Sequence, residues 1–231
     1  MAAALRADFS QIPVIAIDGP AASGKGTVAQ RVAAVLGFHY LDSGSLYRLV
    51  GYSALMHGTA WSDEAVLGKL AATLPAEFRG TDILLSGEVV TELIRSEACS
   101  NAASRVAAVP SVRAALLNWQ RKCRLPPGLV TDGRDMGSVV FPDAALKIFL
   151  TASTEARAER RYKQLKEKGI NANLLILLRD LAERDTRDAS RSLAPLHQCP
   201  EAHLLDTTEM AVVDAVDQVI DWFRRLVPCN K

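Results

Sequence analysis

Val14-Ile15-Ala16-Ile17-Asp18 runs directly into Gly19-Pro20-Ala21-Ala22-Ser23-Gly24-Lys25-Gly26-Thr27. A short apolar run of this kind reads as a buried strand. After the loop, apolar residues recur at helical spacing from Val28 to Leu36, and Gly37 closes the pattern. Strand, glycine-rich loop and helix in that order make a cradle for phosphate. Glycines let the loop turn its N–H groups inward around an oxyanion. The helix start adds about half a positive charge. Lys25 brings a mobile full charge, and Thr27 offers a hydroxyl to Mg²⁺. Gly26 stands between Lys25 and Thr27, so the match is to a G-K-G-T variant of G-x-x-x-x-G-K-[ST]. The loop therefore points to a protein that handles a nucleoside triphosphate.

Working outward, the chain of 231 residues is 49% hydrophobic and 23% charged, an ordinary globular balance. One domain, residues 1–231, carrying an insertion fits this length. A formal net charge of +1 gives no general attraction to nucleic acid or membrane. Cys99, Cys123, Cys199 and Cys229 form no CxxC pair and read as reduced thiols. No apolar stretch reaches the length of a membrane span. Met1–Gln11 lacks an apolar signal core and reads as a short lead-in, with the protein expected in the cytoplasm.

Strand-like runs at Val14–Ile17, Phe38–Leu41, Leu129–Thr131, Lys147–Leu150 and His203–Asp206 alternate with helical ones. The helical patterns cover Val28–Leu36, Leu46–His57, Val112–Cys123, Glu155–Lys168, Leu174–Arg187 and Ala211–Leu226. That alternation predicts an α/β chain with a parallel sheet covered on both faces. Ligands on such sheets sit at the carboxyl ends of the strands, which puts Asp18/Gly19, Asp42/Ser43 and Asp132/Gly133 on one rim. Trp61–Ala108 breaks the pattern. It holds a helical piece at Glu64–Leu74 and extended pieces near Glu77–Phe78, Ile83–Ser86 and Val89–Thr91, with turns at Arg79-Gly80-Thr81-Asp82 and Ser86-Gly87-Glu88. A small antiparallel sheet inserted on the acceptor side is the expectation for residues 61–108. A small-residue helix at Asn101–Ala108 closes the insertion.

Three further constellations lie at or near the rim. Leu41-Asp42-Ser43-Gly44-Ser45-Leu46-Tyr47-Arg48 passes from strand to helix. Thr131-Asp132-Gly133-Arg134-Asp135-Met136-Gly137 ends the third strand. In Glu183-Arg184-Asp185-Thr186-Arg187-Asp188-Ala189-Ser190-Arg191, helical spacing of i, i+4, i+7 places Arg184, Asp188 and Arg191 on one face. A solvated face with weak local ion pairs is the plainer alternative for that last run.

With the phosphate loop and Asn101-Ala102-Ala103-Ser104, these motifs make the chain resemble bacterial cytidylate kinase from about Pro13 to Thr207. The resemblance implies a P-loop three-layer α/β/α fold with a five-stranded parallel core sheet. It further implies an inserted subdomain for the nucleoside monophosphate and a helical lid, here residues 155–191. It implies transfer of phosphate from ATP to CMP or dCMP, with Mg²⁺, by a monomer. Gly19, Pro20, Ala21, Ala22, Ser23, Gly24, Lys25, Gly26 and Thr27 would hold ATP. Arg48 and Arg134 would grip the CMP phosphate. Ser43, Arg113, Asp135 and Arg191 would meet cytosine, and Ser104, Arg184 and Asp188 the pentose. Arg160 and Arg161 would reach the transferring phosphoryl group from the lid, and Asp132 would sit near the water shell of Mg²⁺. Glu201 departs from the family's more common aspartate.

The implied base contacts make chemical sense. Cytosine offers an amino donor and acceptors at N3 and O2. A carboxylate such as Asp135 accepts from the amino group, and an arginine donates to N3 and O2. Uracil would set an O4 acceptor against the carboxylate, at a cost of about 1–3 kcal/mol or more. The rival readings are a P-loop kinase for UMP, AMP, shikimate or a sugar acid, a GTP-dependent switch, and a nucleic-acid-binding ATPase. The switch lacks an N-K-x-D element before the terminal Asn230-Lys231, and the ATPase lacks a basic-aromatic platform.

Overall fold

The computed structural model describes residues 12–79 and 82–226. The lead-in read in Met1–Gln11, the Gly80-Thr81 part of a turn, Cys229 and the Asn230-Lys231 pair lie outside them. The chain divides into two compact units. The first holds residues up to Leu41, Cys123–Ser190 and those from Ala194 on; the second holds Asp42–Lys122 and Arg191–Leu193.

In the first unit, β1 (Val14–Asp18) is buried along its whole length. It is flanked by β6 (Leu129–Gly133) and β7 (Leu146–Thr151), both parallel to it. The five-stranded sheet runs β2 (His39–Asp42), β6, β1, β7, β8 (His203–Asp206). A central strand with both faces covered has no polar side to show, which is why β1 reads as an unbroken apolar run. The chain lays β2 and β6 on one side of β1 and then β7 and β8 on the other. The direction of winding reverses at β1, and such a reversal opens a crevice at the strand's carboxyl end.

Helix α1 (Lys25–Leu36) and helix α8 (Val212–Leu226) cover the sheet. Val28, Val32, Ala29 and Ala33 from α1 meet Ala215, Val219, Ile220 and Phe223 from α8 over Ile15, Ile17, Ile148 and Leu150. Helix α6 (Thr154–Glu167) and helix α7 (Leu174–Ala189) pack Ala158 and Leu181 on Ala21 of the loop. Ser153 caps α6 through the Ala156 N–H, and Asn173 caps α7 through Leu175 and Ile176.

The second unit holds α2 (Ser43–Met56), α3 (Glu64–Ala72), β3 (Ala76–Arg79), β4 (Asp82–Leu85), β5 (Glu88–Val89), α4 (Glu97–Val106) and α5 (Pro110–Lys122). Its three strands form an antiparallel sheet in the order β3, β4, β5. Leu49, Ile83, Val90 and Ile94 form one buried cluster in it. Its helices pack closely: a Cβ added at Gly51 would lie 2.8 Å from Ala102 Cβ, and one at Gly68 would lie 2.7 Å from Ser111 Cβ. Residues 61–108 all lie inside this unit.

Three differences from the sequence reading matter. Helix α1 starts at Lys25 and not at Val28, because Gly24 takes a left-handed φ of 91° and hands Lys25, Gly26 and Thr27 to the first turn. Residues 136–140 form a π-helical turn that no periodicity announced. Helix α7 stops at Ala189, with Ser190 as its C-cap, so Arg191 does not share the face of Arg184 and Asp188. The chain folds back there, with the Leu196 N–H donating to the Asp188 carbonyl, and Arg191 groups with the second unit.

Candidate active site

The phosphate loop is shaped by its neighbours. A Cβ on Gly19 would lie 1.9 Å from the Leu150 carbonyl oxygen of β7, so only glycine fits there. Ala22 adopts a φ of 58°, a left-handed conformation that costs a non-glycine residue on the order of 1–3 kcal/mol. Lys25 is buried, and its Nζ donates to the Pro20 carbonyl at 3.2 Å, folding the ammonium back across the loop. From α6, Arg157 donates to the Ala21 carbonyl at 3.1 Å, and Arg160 Nη1 donates to the Ser23 carbonyl at 3.2 Å. Two arginines thus satisfy two carbonyls of the loop, and the N–H groups of such a loop are the donors that suit an anion. The Ser23 hydroxyl is buried with no protein partner.

Asp132, near the end of β6, is buried and accepts from the Tyr40 hydroxyl at 2.8 Å. Its two oxygens would stand 3.7 and 3.8 Å from a Cβ on Gly26, beside Thr27. A hydroxyl at the first turn of α1 and a nearby carboxylate are a donor set that suits a hydrated Mg²⁺. Among the described residues no group of three or more histidine, cysteine or acidic side chains converges as a protein-only metal site. A Mg²⁺ carried mainly by phosphate oxygens and waters is compatible with that.

Beyond Asp132, the chain presents Arg134 and Asp135 on the turn. Asp135 is only 3% exposed. Arg134 Nε donates to Asp188 Oδ2 at 2.9 Å, and its Nη1 donates to the Gly133 carbonyl. Arg184 Nε lies 3.9 Å from the same Asp188 oxygen. Asp188, 1% exposed, is thus clasped by two arginines from different elements, not set on a solvated face. A carboxylate buried to this degree needs such partners. Arg160 also donates to the Thr207 hydroxyl and the Thr207 carbonyl, and Arg161 Nη1 to Gln164.

Within the second unit, Asp42 caps α2 by accepting from the Ser45 N–H, which leaves Ser43 buried in the first turn. Arg48 Nη1 donates to the Ile94 carbonyl at 3.0 Å. Arg113 is buried, not a helix-surface arginine; its guanidinium lies 5.9 Å from the centre of the Tyr47 ring, and Nη1 donates to the Ala107 carbonyl. Arg191 Nη2 reaches the backbone carbonyl of Ser104 at 3.5 Å, and Ser104 itself is buried. Ser104, Arg191, Arg113 and Arg48 therefore belong to one unit, and the loop, Asp132, Arg134, Asp135, Arg160, Arg161, Arg184 and Asp188 to the other.

Sequence reading gave no role to three residues that the structure ties to these groups: Asp18, Tyr40 and Arg157. A charged residue closing an apolar strand was a usable signal for Asp18. Arg157 lies three residues before Arg160, a spacing that shares a helix face. Tyr40 carried no signal, because its partner is 92 residues away.

The model of a family described as cytidylate kinase matches residues 15–225. A curated cytidylate kinase of Chromobacterium violaceum is 59% identical over 212 residues, covering 92% of this chain and 96% of its own. One from Paraburkholderia phymatum is 56% identical over 220 residues, covering 95% and 96%. Among solved structures, a gluconokinase from Sinorhizobium meliloti superposes with a TM-score of 0.50 at 14% identity, covering 93% of each chain, a likeness of fold alone. The chain belongs to the cytidylate kinase family.

Proposed function

We propose that this enzyme transfers a phosphoryl group from ATP to CMP and dCMP in a Mg²⁺-dependent reaction. The observation that carries the proposal is the identity of 59% to a relative named cytidylate kinase, spread over 92% of the chain. Gly19–Thr27 would hold the ATP phosphates. Arg48 and Arg134 would bind the acceptor phosphate. Ser43, Arg113, Asp135 and Arg191 would read cytosine, and Ser104, Arg184 and Asp188 the pentose. The burial of Asp135 and Arg113 supports a base-reading role, since a polar group away from water discriminates strongly between partners.

The acceptor oxygen of a nucleoside monophosphate is already anionic at neutral pH, so no strong general base is needed. What remains is holding two mutually repelling anions in line and neutralising the charge on the moving group. Lys25, Arg134, Arg160 and Arg161 are the cations for that work. Thr27, together with Asp132 through water, would hold Mg²⁺, which supplies further charge neutralisation when bound. We assign residues 61–108 to the acceptor side. Residues 155–191 would be a lid that excludes water, with Gly169 at a φ of 71° just past α6 as its bend. Among the described residues no helix is long and apolar enough to cross a membrane. A cytoplasmic monomer completes the proposal.

A coupled ADP-release assay over CMP, dCMP, UMP and AMP tests it. The expected result is Mg²⁺-dependent turnover with CMP and dCMP at least about tenfold above UMP in kcat/KM. Preference for another acceptor, or hydrolysis that needs none, would remove the assignment.

A further inference from the structure

Asp18 closes β1, yet it is none of the groups assigned above to ATP or to CMP. Its side chain is buried and both oxygens are committed. Oδ1 accepts from the Met136 N–H and Oδ2 from the Gly137 N–H, each at 2.8 Å. Those two amides open the π-helical turn Met136–Val140, and Asp135 is the residue immediately before them. The first N–H groups of a helical turn have no partner inside it and need an acceptor from elsewhere. The Asp135 side chain does not cap the turn. Asp18 supplies both acceptors, from a strand locked in the middle of the sheet.

We propose that Asp18 is a positioning residue for acceptor recognition: by gripping two successive amides it fixes the backbone that aims Arg134 and Asp135, and so governs the choice of base while leaving ATP binding alone. Two parallel hydrogen bonds to a carboxylate constrain rotation as well as distance. The turn is closely packed, since a Cβ on Gly137 would stand 3.2 Å from the Lys147 side chain and 3.5 Å from Asp18 Oδ2. Displacement of a binding group by about 1 Å costs on the order of 10²-fold in rate. The carboxylate is held against a cost: burial pushes its pKa up to about 6, with Asp135 adding to the rise and the two N–H groups and Arg134 opposing it. Asp18 in turn helps burial push the Cys199 thiol up, while Lys147 opposes that rise.

This inference rests on CMP being the acceptor, and its test separates the two. Asp18→Asn keeps the shape, but its amide nitrogen would face an N–H donor. Kinetics at pH 7.5 should show KM for CMP raised about tenfold or more and the CMP-to-UMP ratio of kcat/KM lowered about fivefold or more. KM for ATP should stay within about twofold, since no loop donor is touched. An unchanged CMP-to-UMP ratio, or a KM for ATP that rises in step with that for CMP, overturns the proposal. A wild-type enzyme that ignores CMP would instead fault the substrate assignment. Should the variant not fold, amide hydrogen exchange in the wild-type enzyme decides. CMP, and not ADP, should slow exchange at Met136 and Gly137; equal slowing by both, or by neither, overturns it.

Discussion

Arg157 Nη1 stands 2.6 Å from Asp185 Oδ2, joining α6 to α7, while the same guanidinium donates to the Ala21 and Ala152 carbonyls and to the Thr154 hydroxyl. One buried cation thereby fastens two helices to the phosphate loop. Arg157→Ala removes every one of these bonds and leaves Asp185 Oδ1, which has no hydrogen-bond partner of its own, beside a second orphaned oxygen. Removing one partner of a fully buried pair costs about 3–5 kcal/mol, and the half-buried state of Asp185 lowers that to roughly 2–3 kcal/mol. We expect a lower Tm in thermal unfolding and a raised KM for ATP. An unshifted Tm would mean that the pair contributes no net stability.

Lys25→Ala should abolish transfer and leave the fold. Its Nζ donates to the Pro20 carbonyl within its own loop, outside the apolar cluster between α1 and α8. In the proposed role, where Lys25 would meet charge developing on the phosphoryl group, its removal costs about 10²–10³ in kcat or more. Single-turnover kinetics beside a circular dichroism spectrum would check both halves.

Asp135→Asn should relax the choice between CMP and UMP, because an amide can donate to uracil O4 as well as accept from the cytosine amino group. Loss of one matched contact predicts a fall of about tenfold in the CMP-to-UMP ratio of kcat/KM. An unmoved ratio would take Asp135 out of base reading.

Gly19→Ala puts a methyl where the Leu150 carbonyl oxygen already stands, at 1.9 Å. Backbone of a central strand does not yield, so the loop must shift. We expect destabilisation of a few kcal/mol and a large rise in KM for ATP, readable by unfolding and by nucleotide titration.

Stability should carry an acid signature from Asp18. Burial lifts its pKa in the folded chain from 3.8 to about 6. Folding thus favours the protonated form, and the ionised form is the costly one. The cost is absent below about pH 4, grows as pH rises toward 6 and is then constant, at the order of 2–3 kcal/mol. The Tm of Asp18→Asn minus that of wild type should therefore climb between pH 4.5 and 7. A flat difference would show that Asp18 titrates as in the unfolded chain.

Much of this architecture was legible because it is local. Val14–Ile17 is apolar on both faces as a central strand must be, and Gly37 ends α1 at a left-handed φ of 67°. The small sheet announced itself by alternation and turns, and its three strands fall within a residue or two of the expected pieces. What escaped was set by contacts far apart in the chain. The turn at Met136–Val140 has its opening amides satisfied by Asp18, 118 and 119 residues earlier. Arg191 failed as a helix-face residue because no periodicity tells where α7 gives way to Ser190. Arg134, Arg184 and Asp188 were each singled out, but the clasp they form depends on β6 and α7 meeting.

The close passage of α2 by α4 at Gly51 has an evolutionary reading. With Ala102 Cβ 2.8 Å and the main-chain atoms Ala102 C and Ala103 N 3.0 Å from where a methyl would stand, no change of side chain at 102 makes room for one at 51. A bulkier residue at 51 survives only in a lineage whose α4 has already moved away. Position 51 is therefore expected to stay glycine for as long as the two helices keep this spacing.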